Sequence, residues 1–523
     1  MPERPAGRPA RPPEPEDRVA VGEPPAEPEV DEQAHAELDR KIIRGSLWVG
    51  LSYGGGQVLS VVSMLVLVRL LEPSAFGVMS LAWTFLFIAQ TIQEGGAGSA
   101  LIHRRGDDIP RAAASVLLFT PTTGLVIYGI TFGLAPSLAG WFDSPGLTSV
   151  LRVLAIMVPL GSLGIVPFAL LERDMRFREI SRVKLVAAVA NFLTAISLAA
   201  AGAGVWSLVG AQLVASALTS ALYWRATPFV PDPREFDFAL LRQLLRYGRY
   251  VSASNLLNIA VTTLDNITVG RMLGTTSLGY YQIAFRISEF PNVVIGHIAG
   301  RTMFSAYSSV QHDLAWARRA YMQNLQRIAL LALPASAGLL VLAEPLVLAL
   351  LGEKWRATVA PLQILGAYGL VRSFAAPAGE LYKGLGKPWI NMVLGLVFAI
   401  LIVPTVYLMA RWNGLNGAAL AMLVLELLAG IPAIAVAMRL VRLPLRQLIH
   451  ALSPSVMCTC LMSAALIVLT PETAGMHPVA RLILLVLIGS VIYIATTAVF
   501  AREIVQPIIA SMRRSRPGET STT

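Results

Sequence analysis

The sequence predicts an all-α integral membrane protein of about 14 transmembrane helices. The helices are expected to form two parallel six-helix repeats, each making one lobe, followed by two extra C-terminal helices. Three observations predict this fold class: an apolar composition, a series of long apolar runs separated by alternately basic loops, and an internal repeat.

The composition is that of a membrane protein. Hydrophobic residues make up 55% of the chain and charged residues 14%, whereas a soluble domain carries roughly 25% charged residues. The net charge of +10 does not indicate nucleic acid, because inner-membrane proteins collect Lys and Arg in their cytoplasmic loops. Cys458 and Cys460 point in different directions on a helix, so they predict neither a disulfide nor a metal site.

Runs of about 20 apolar residues mark the candidate spans. They lie near residues 45–70, 76–100, 112–134, 148–171, 183–201, 204–224, 247–270, 276–299, 323–343, 358–381, 389–410, 415–438, 447–470 and 479–501. Prolines inside these runs, such as Pro159, Pro167 and Pro334, predict bends.

Basic residues alternate between the two sides of the membrane. One loop, for example, contains Arg173, Arg176, Arg178, Arg182 and Lys184, whereas the loops on the opposite side hold few basic residues. The alternation predicts an even number of spans with both termini in the cytoplasm.

An internal repeat relates the two halves of the chain. RLLEPSAFGVMSLA from Arg69 aligns without gaps on RMLGTTSLGYYQIA from Arg271, and AGVWSLVG from Ala203 resembles NGLNGAAL from Asn413. An even number of spans separates the matched elements, so the halves are parallel repeats with a site expected between them.

These observations predict six regions. They are a disordered Pro/Glu-rich cytoplasmic tail (1–39), an N-terminal six-helix lobe (40–225), a cytoplasmic amphipathic linker (226–246), a C-terminal six-helix lobe (247–440), two further helices (441–503) and a cytoplasmic C-terminal tail (504–523). In the linker, FDFALLRQLLRY from Phe236 to Tyr247 has the apolar spacing of a helix on the cytoplasmic leaflet.

The sequence resembles the Wzx-like polysaccharide and oligosaccharide flippases of the multidrug/oligosaccharidyl-lipid/polysaccharide exporter superfamily. The likeness is strongest in LDNITVGRMLGTTSLGYYQIAFRISEFP from Leu264 to Pro291, with support from GGAGSALIHRR and LLGEKWRATVAPLQIL. The resemblance implies two lobes around a central cavity that opens alternately to each side. It also implies an undecaprenyl-diphosphate-linked oligosaccharide as cargo, carried from the inner to the outer leaflet of the bacterial inner membrane.

Two arginines are the main candidates for binding the diphosphate. Arg286 and Arg372 fall near the middle of their predicted spans, and a guanidinium matches phosphate oxygens and stays charged in a low dielectric. The alternative for Arg286 is an ion pair with Glu289, three residues along the same helix. For Arg372 the alternative is pairing with Glu380 or Glu94.

Carboxylates inside the spans are candidates for gating or ion coupling, because an ionisable group there is costly. This set is Glu94, Asp265, Glu289, Glu380 and Glu426. Coupling to protons or Na⁺ is the functional interpretation for Asp265 and Glu426. The structural one, favoured for Asp265, is a hydrogen-bonded pair that joins the outer turn to its neighbour.

Four amide side chains are candidates for contacts with sugar hydroxyls: Gln57, Asn255, Asn258 and Gln282. Hydrogen bonds between helices would explain them equally well.

Two other function classes fit this sequence less well. A cation-coupled multidrug exporter of the same superfamily would share the architecture, but it would favour a carboxylate in an apolar pocket over cavity arginines. A membrane-bound polymerase, ligase or acyltransferase is disfavoured by short outer loops without clustered His, Asp and Arg. The expected partners are the lipid-linked oligosaccharide, membrane lipids and polysaccharide polymerase or export machinery, with no nucleic acid, cofactor or metal.

Overall fold

A computed structural model describes residues 54–104, 108–227, 231–309 and 313–502, and within 292–312 it describes the side chain of Tyr307 alone. The described residues form fifteen α-helices with connecting turns and short 3₁₀ and π segments. The predicted tails, 1–39 and 504–523, lie outside the described residues.

The helices follow one another along the chain with short connections. They are α1 (Gly54–Leu70), α2 (Pro73–Glu94), α3 (Ala97–His103), α4 (Ile109–Trp141), α5 (Pro145–Leu154), α6 (Met157–Ser162), α7 (Ile165–Arg173), α8 (Phe177–Ala200), α9 (Val205–Ala226), α10 (Phe238–Ser309), α11 (Leu314–Leu346), α12 (Val359–Gly384), α13 (Trp389–Leu440), α14 (Leu445–Glu472) and α15 (Pro478–Phe500).

The described helices provide fourteen spans, as predicted. Ten helical segments are long and apolar enough to cross a membrane. One of them, α13, holds two spans because its helical geometry breaks at Asn413 and Gly414. The 72-residue α10 breaks at Gly274, where φ is 80° and ψ is 171°, a conformation that glycine adopts most readily. It adds two spans, and α1 adds the last.

The predicted repeat is visible in the backbone. Gly204 (φ 57°, ψ −130°) and Gly414 (φ 53°, ψ −133°) have nearly the same conformation at matching turns. At the crossing of α2 and α10, Gly77 approaches the carbonyl of Thr275, and Gly279 approaches the carbonyl of Pro73. In the aligned repeat, Gly77 corresponds to Gly279 and Pro73 to Thr275, so each contact is the counterpart of the other. This is expected for lobes related by a two-fold axis along the membrane normal.

The fourth span differs from the single run predicted over 148–171. It consists of three short helices, α5, α6 and α7. Pro159 lies in α6 and Pro167 in α7, and a proline removes a backbone donor and favours a break. The bends predicted from these prolines therefore occur as short interruptions.

The segment from Phe236 to Tyr247 continues directly into the seventh span. Helix α10 begins at Phe238 and has its only non-helical backbone conformation at Gly274. Leu240 and Leu244 are buried against α3, α4 and α7 of the N-terminal lobe. The apolar face of this segment therefore contacts protein in the structure, and its contact with a leaflet stays a prediction.

Helices α14 and α15 pack on the outside of the C-terminal lobe. Leu342 of α11 lies in one buried cluster with Met462, Leu466 and Leu485. The Tyr493 hydroxyl of α15 donates to the Leu330 carbonyl of α11 at 2.8 Å. These helices are therefore an addition to the repeat, as the sequence predicts.

Candidate substrate cavity between the lobes

A cavity of about 1030 Å³ lies between the two lobes. Its walls come from α1, α2 and α9 of the N-terminal lobe and from α10 and α11 of the C-terminal lobe. Aromatic side chains, including Trp83, Phe87, Phe285 and Phe290, cover part of the wall. The polar lining residues are Gln57, Ser80, Thr84, Gln212, Thr262, Thr263, Asp265, Asn266, Gln282, Arg286 and Glu289.

Arg286 of α10 lines this cavity and contacts α1. Its guanidinium donates to the Ser60 hydroxyl at 2.7 Å. No carboxylate lies within ion-pair distance of Arg286 among the described residues, so the alternative of a local pair with Glu289 is wrong for this conformation. The guanidinium therefore keeps donors for an anionic ligand.

Arg372 is held by two carboxylates from different helices. Its guanidinium lies 3.6 Å from Glu289 of α10 and 3.7 Å from Glu426 of α13, and it donates to the Tyr368 hydroxyl at 2.8 Å. The alternative of pairing with Glu380 or Glu94 is wrong for this conformation, since the carboxylates beside Arg372 are Glu289 and Glu426 and Glu380 pairs with Lys383 at 2.9 Å.

Glu94 is the last residue of α2, and its side chain lies close to Gly98. This position is on the N-terminal lobe, whereas Arg372 is on α12. In this conformation the two carboxylates beside Arg372 already compensate its charge, which leaves Arg286 as the better diphosphate candidate.

The Arg372 cluster predicts a stability effect. Arg372→Met removes the cation that lies beside Glu289 and Glu426, and removing one partner of a fully buried ion pair costs about 3–5 kcal/mol. The Arg372 side chain is 39% exposed, so we expect a smaller loss, about 1–3 kcal/mol. Thermal melting of the purified protein measures it. Adding Glu426→Gln should restore part of the loss, whereas a wild-type melting temperature for Arg372→Met would contradict the cluster's role.

Asp265 and Asn266 join the seventh span to the eighth. The Tyr281 hydroxyl donates to Asp265 Oδ2 at 2.8 Å, and Gln282 Nε2 donates to Asn266 Oδ1. Both acceptors lie before the Gly274 break and both donors after it. The contact favoured for Asp265, a hydrogen bond that holds the outer turn, is therefore present, while Oδ1 of Asp265 has no partner among the described residues.

The remaining predicted amides are divided between the cavity and its surroundings. Gln57 and Gln282 line the cavity. Asn255 and Asn258 are exposed and lie outside its lining. They are on the same helix as Thr262, which does line the cavity, but closer to the N-terminus of α10.

The outer side, the side of the α1–α2 turn in the predicted orientation, is closed by contacts between the lobes. We call Arg69, Lys354 and Trp355 the outer clasp. Arg69 donates to the carbonyls of Ala349 and Leu350. In return, Lys354 donates to the carbonyls of Arg69 and Leu71, and Trp355 Nε1 donates to the Val68 carbonyl at 3.0 Å.

The acceptors in the outer clasp are backbone carbonyls at or next to the ends of helical segments. The last carbonyls of a helix have no intrahelical partner, and cations near them are favourable. Arg271, the repeat equivalent of Arg69, crosses in the opposite direction and pairs with Asp143 at 2.6 Å. Each lobe therefore holds the other on the outer side.

Sequence reasoning missed several of these residues. The clasp residue Trp355 was not singled out, and neither were Ser60, Asn191 and Gln212, which line cavities in the structure. Asn191 and Gln212 are the only amide residues of α8 and α9. An isolated amide in an alanine-rich span was the available signal.

Solved structures share this fold. The lipid II flippase MurJ in an inward closed conformation superposes with a TM-score of 0.70 at 14% identity, covering 88% of this chain and all of that chain. A multidrug resistance MATE family transporter of the MOP superfamily, in an inward-facing conformation, gives a TM-score of 0.58 at 20% identity over 74% of this chain and 95% of that chain. The fold is therefore that of a two-lobed membrane protein with a cavity between the lobes.

The chain belongs to the polysaccharide biosynthesis protein family, whose model matches residues 66–360, more than half of the sequence. It is 27% identical to the succinoglycan biosynthesis transport protein ExoT of Rhizobium meliloti, over 91% of this chain and 97% of that protein. It is 24% identical to the lipopolysaccharide biosynthesis protein WzxC of Escherichia coli, over 75% and 80%. The predicted Wzx-like family and fold class are confirmed.

Proposed function

We propose that this protein moves an undecaprenyl-diphosphate-linked oligosaccharide from the inner to the outer leaflet of the bacterial cytoplasmic membrane. The observation that carries the proposal is Arg286. Its guanidinium lines the cavity between the lobes and is bonded to a neutral serine hydroxyl at 2.7 Å. Such a group offsets the cost of taking a diphosphate out of water.

The relatives support the cargo class. Their names connect them with transport or synthesis of succinoglycan and lipopolysaccharide. These polymers differ, so the relatives favour a lipid-linked saccharide in general and do not select one glycan.

A multidrug exporter is the weaker alternative. A drug cation would need a carboxylate free to receive it, but two carboxylates that line the cavity already have partners. Asp265 accepts from Tyr281, and Glu289 lies beside Arg372. Arg286 would also repel a cation.

Transport proceeds by alternating access in this proposal. With the outer clasp closed, the substrate enters from the inner side, and release on the outer side requires the clasp to open. Both termini lie in the cytoplasm. Coupling to protons or Na⁺ through Glu426 or Asp265, and docking of polysaccharide polymerase or export machinery, are further parts of the proposal.

Deletion of the gene tests the proposed function. We expect an undecaprenyl-diphosphate-linked oligosaccharide to accumulate on the inner leaflet while the exported polysaccharide disappears, with both restored by a plasmid copy. Lipid extracts analysed by mass spectrometry measure the accumulation. Unchanged lipid-linked intermediates together with increased drug sensitivity would favour the multidrug exporter instead.

A further inference from the structure

A second pocket lies inside the N-terminal lobe, between α1, α2, α8 and α9. Its volume is about 450 Å³, within the range of about 300–1,000 Å³ of small-molecule sites. Gln282 and Arg286 line both this pocket and the central cavity. We call it the N-lobe pocket; its mouth is at the arginine that the proposed function assigns to the diphosphate.

Polar groups in the N-lobe pocket have unused hydrogen-bonding capacity. Asn191 Nδ2 donates to Gln212 Oε1 at 3.1 Å, which leaves donors on both amides and the Asn191 oxygen without a partner among the described residues. Ser63 and Ser80 also line the pocket, and within the described part of the chain their hydroxyls make no hydrogen bond. The wall therefore offers both donors and acceptors to a ligand.

The equivalent positions in the C-terminal lobe carry larger apolar side chains. The repeat offset of 210 residues, fixed by the matching turns at Gly204 and Gly414, identifies the counterparts. Ala188, Asn191, Gln212 and Ala215 correspond to Phe398, Leu401, Met422 and Leu425. Of these counterparts, Phe398, Met422 and Leu425 are buried in the apolar core, whereas Leu401, the counterpart of Asn191, is exposed.

The difference between the lobes indicates an occupant for the N-lobe pocket. In the C-terminal lobe, three of the four matched positions bury large apolar side chains, and proteins normally pack their interiors without voids. In the other lobe, small residues keep the space open and two amides make it polar. Apolar lipid chains would not use these amides, whereas sugar hydroxyls both donate and accept hydrogen bonds.

We propose that the N-lobe pocket binds the sugar that is linked directly to the diphosphate, with Asn191 and Gln212 as hydrogen-bonding partners. The inference rests on the proposed function, because Arg286 at the mouth holds the diphosphate and thereby directs the adjacent sugar inward. Trp83, which lines both spaces, presents an aromatic surface at the entrance.

Binding of two kinds of lipid to the full-length protein in nanodiscs tests this inference. The probes are undecaprenyl diphosphate and its glucose-, galactose- and N-acetylglucosamine-linked forms, with affinities measured by native mass spectrometry. We expect the wild type to bind at least one sugar-linked form about tenfold more tightly than undecaprenyl diphosphate, as one or two additional hydrogen bonds provide.

Variants that copy the C-terminal lobe should remove this preference. Asn191→Leu with Gln212→Met removes the amides, and Ala188→Phe fills the space with a side chain that the same fold accommodates in its other half. Ala217→Phe is the matched control, because Ala217 is exposed on α9 and does not line the N-lobe pocket. The control should keep the tenfold preference, and the other two variants should bind both kinds of lipid about equally.

The outcomes separate this inference from the proposed function. If the wild type binds none of the undecaprenyl diphosphate lipids, the proposed function fails. If the wild type binds all of them equally, or the copied variants keep the preference, the sugar site is overturned. It is also overturned if the variants weaken both kinds of lipid alike, which would assign the pocket to the carrier lipid.

Discussion

Arg286→Ala is expected to reduce polysaccharide export about a hundredfold while the protein is still made and inserted. Hydrogen bonds to charged groups contribute about 1.5–3 kcal/mol each, and about 1.4 kcal/mol corresponds to a factor of ten. A diphosphate without this guanidinium would enter the cavity with an uncompensated charge. Abundance should persist because Arg286 is bonded to Ser60, a neutral residue, so its loss leaves no described carboxylate unpaired.

Two further variants separate charge from geometry at this position. Arg286→Lys keeps the charge but loses the planar pair of donors, so we expect partial export. Ser60→Ala removes the hydroxyl that receives the Arg286 hydrogen bond and should have a small effect. Export is measured as polysaccharide yield in the deletion strain, normalised to protein abundance by immunoblot. Wild-type export by Arg286→Ala would exclude Arg286 from the diphosphate site.

The repeat was predictable because some of its matched residues are glycines that close contacts between helix backbones require. Gly77 and Gly279 occupy matching positions in the two aligned segments, and both lie where helix backbones approach too closely for a side chain. Periodic apolar runs likewise predicted the spans, since a span needs about 20 apolar residues whatever its neighbours are.

The partners of Arg372 could not be predicted in the same way. Glu289 lies on α10 and Glu426 on α13. The spacing of residues along one helix does not determine how far that helix is shifted along its axis, or rotated about it, relative to a neighbouring helix. The sequence therefore suggested Glu380, which is close in the chain but pairs with Lys383. Contacts within a helix follow from sequence separation, whereas contacts between helices require the packed structure.

The N-lobe pocket escaped prediction for a different reason. It is formed by alanines such as Ala187, Ala188 and Ala195, and small residues in a membrane helix usually indicate close helix packing. Whether alanines face a neighbouring helix or an open space depends on the separation of α1 from α8. Their arrangement gains a functional meaning from the comparison with the C-terminal lobe, where three of the four matched positions bury large apolar side chains.

Closing of the outer side depends on the absence of side chains at the α2–α10 crossing, so Gly77→Ala is expected to abolish export. A Cβ atom on Gly77 would lie 1.8 Å from the Thr275 carbonyl oxygen, and because that oxygen belongs to the backbone the helices must separate. Gly279→Ala should have the same effect, since its Cβ would lie 1.9 Å from the Pro73 carbonyl oxygen. We expect both variants to hold the outer side open.

Labelling distinguishes an open outer side from a misfolded protein. Thr262, which lines the cavity, is replaced by cysteine in a chain that lacks Cys458 and Cys460. A membrane-impermeant maleimide is then added to cells whose outer membrane has been permeabilised and whose inner membrane is intact. Gly77→Ala should label at least about tenfold faster than the parent chain, because separated lobes admit the reagent from outside. Gly133→Ala is the control, since no atom lies within 4 Å of its added Cβ, and it should label and export like the parent. Slow labelling and normal export by Gly77→Ala would show that the lobes do not need this close contact to complete the transport cycle.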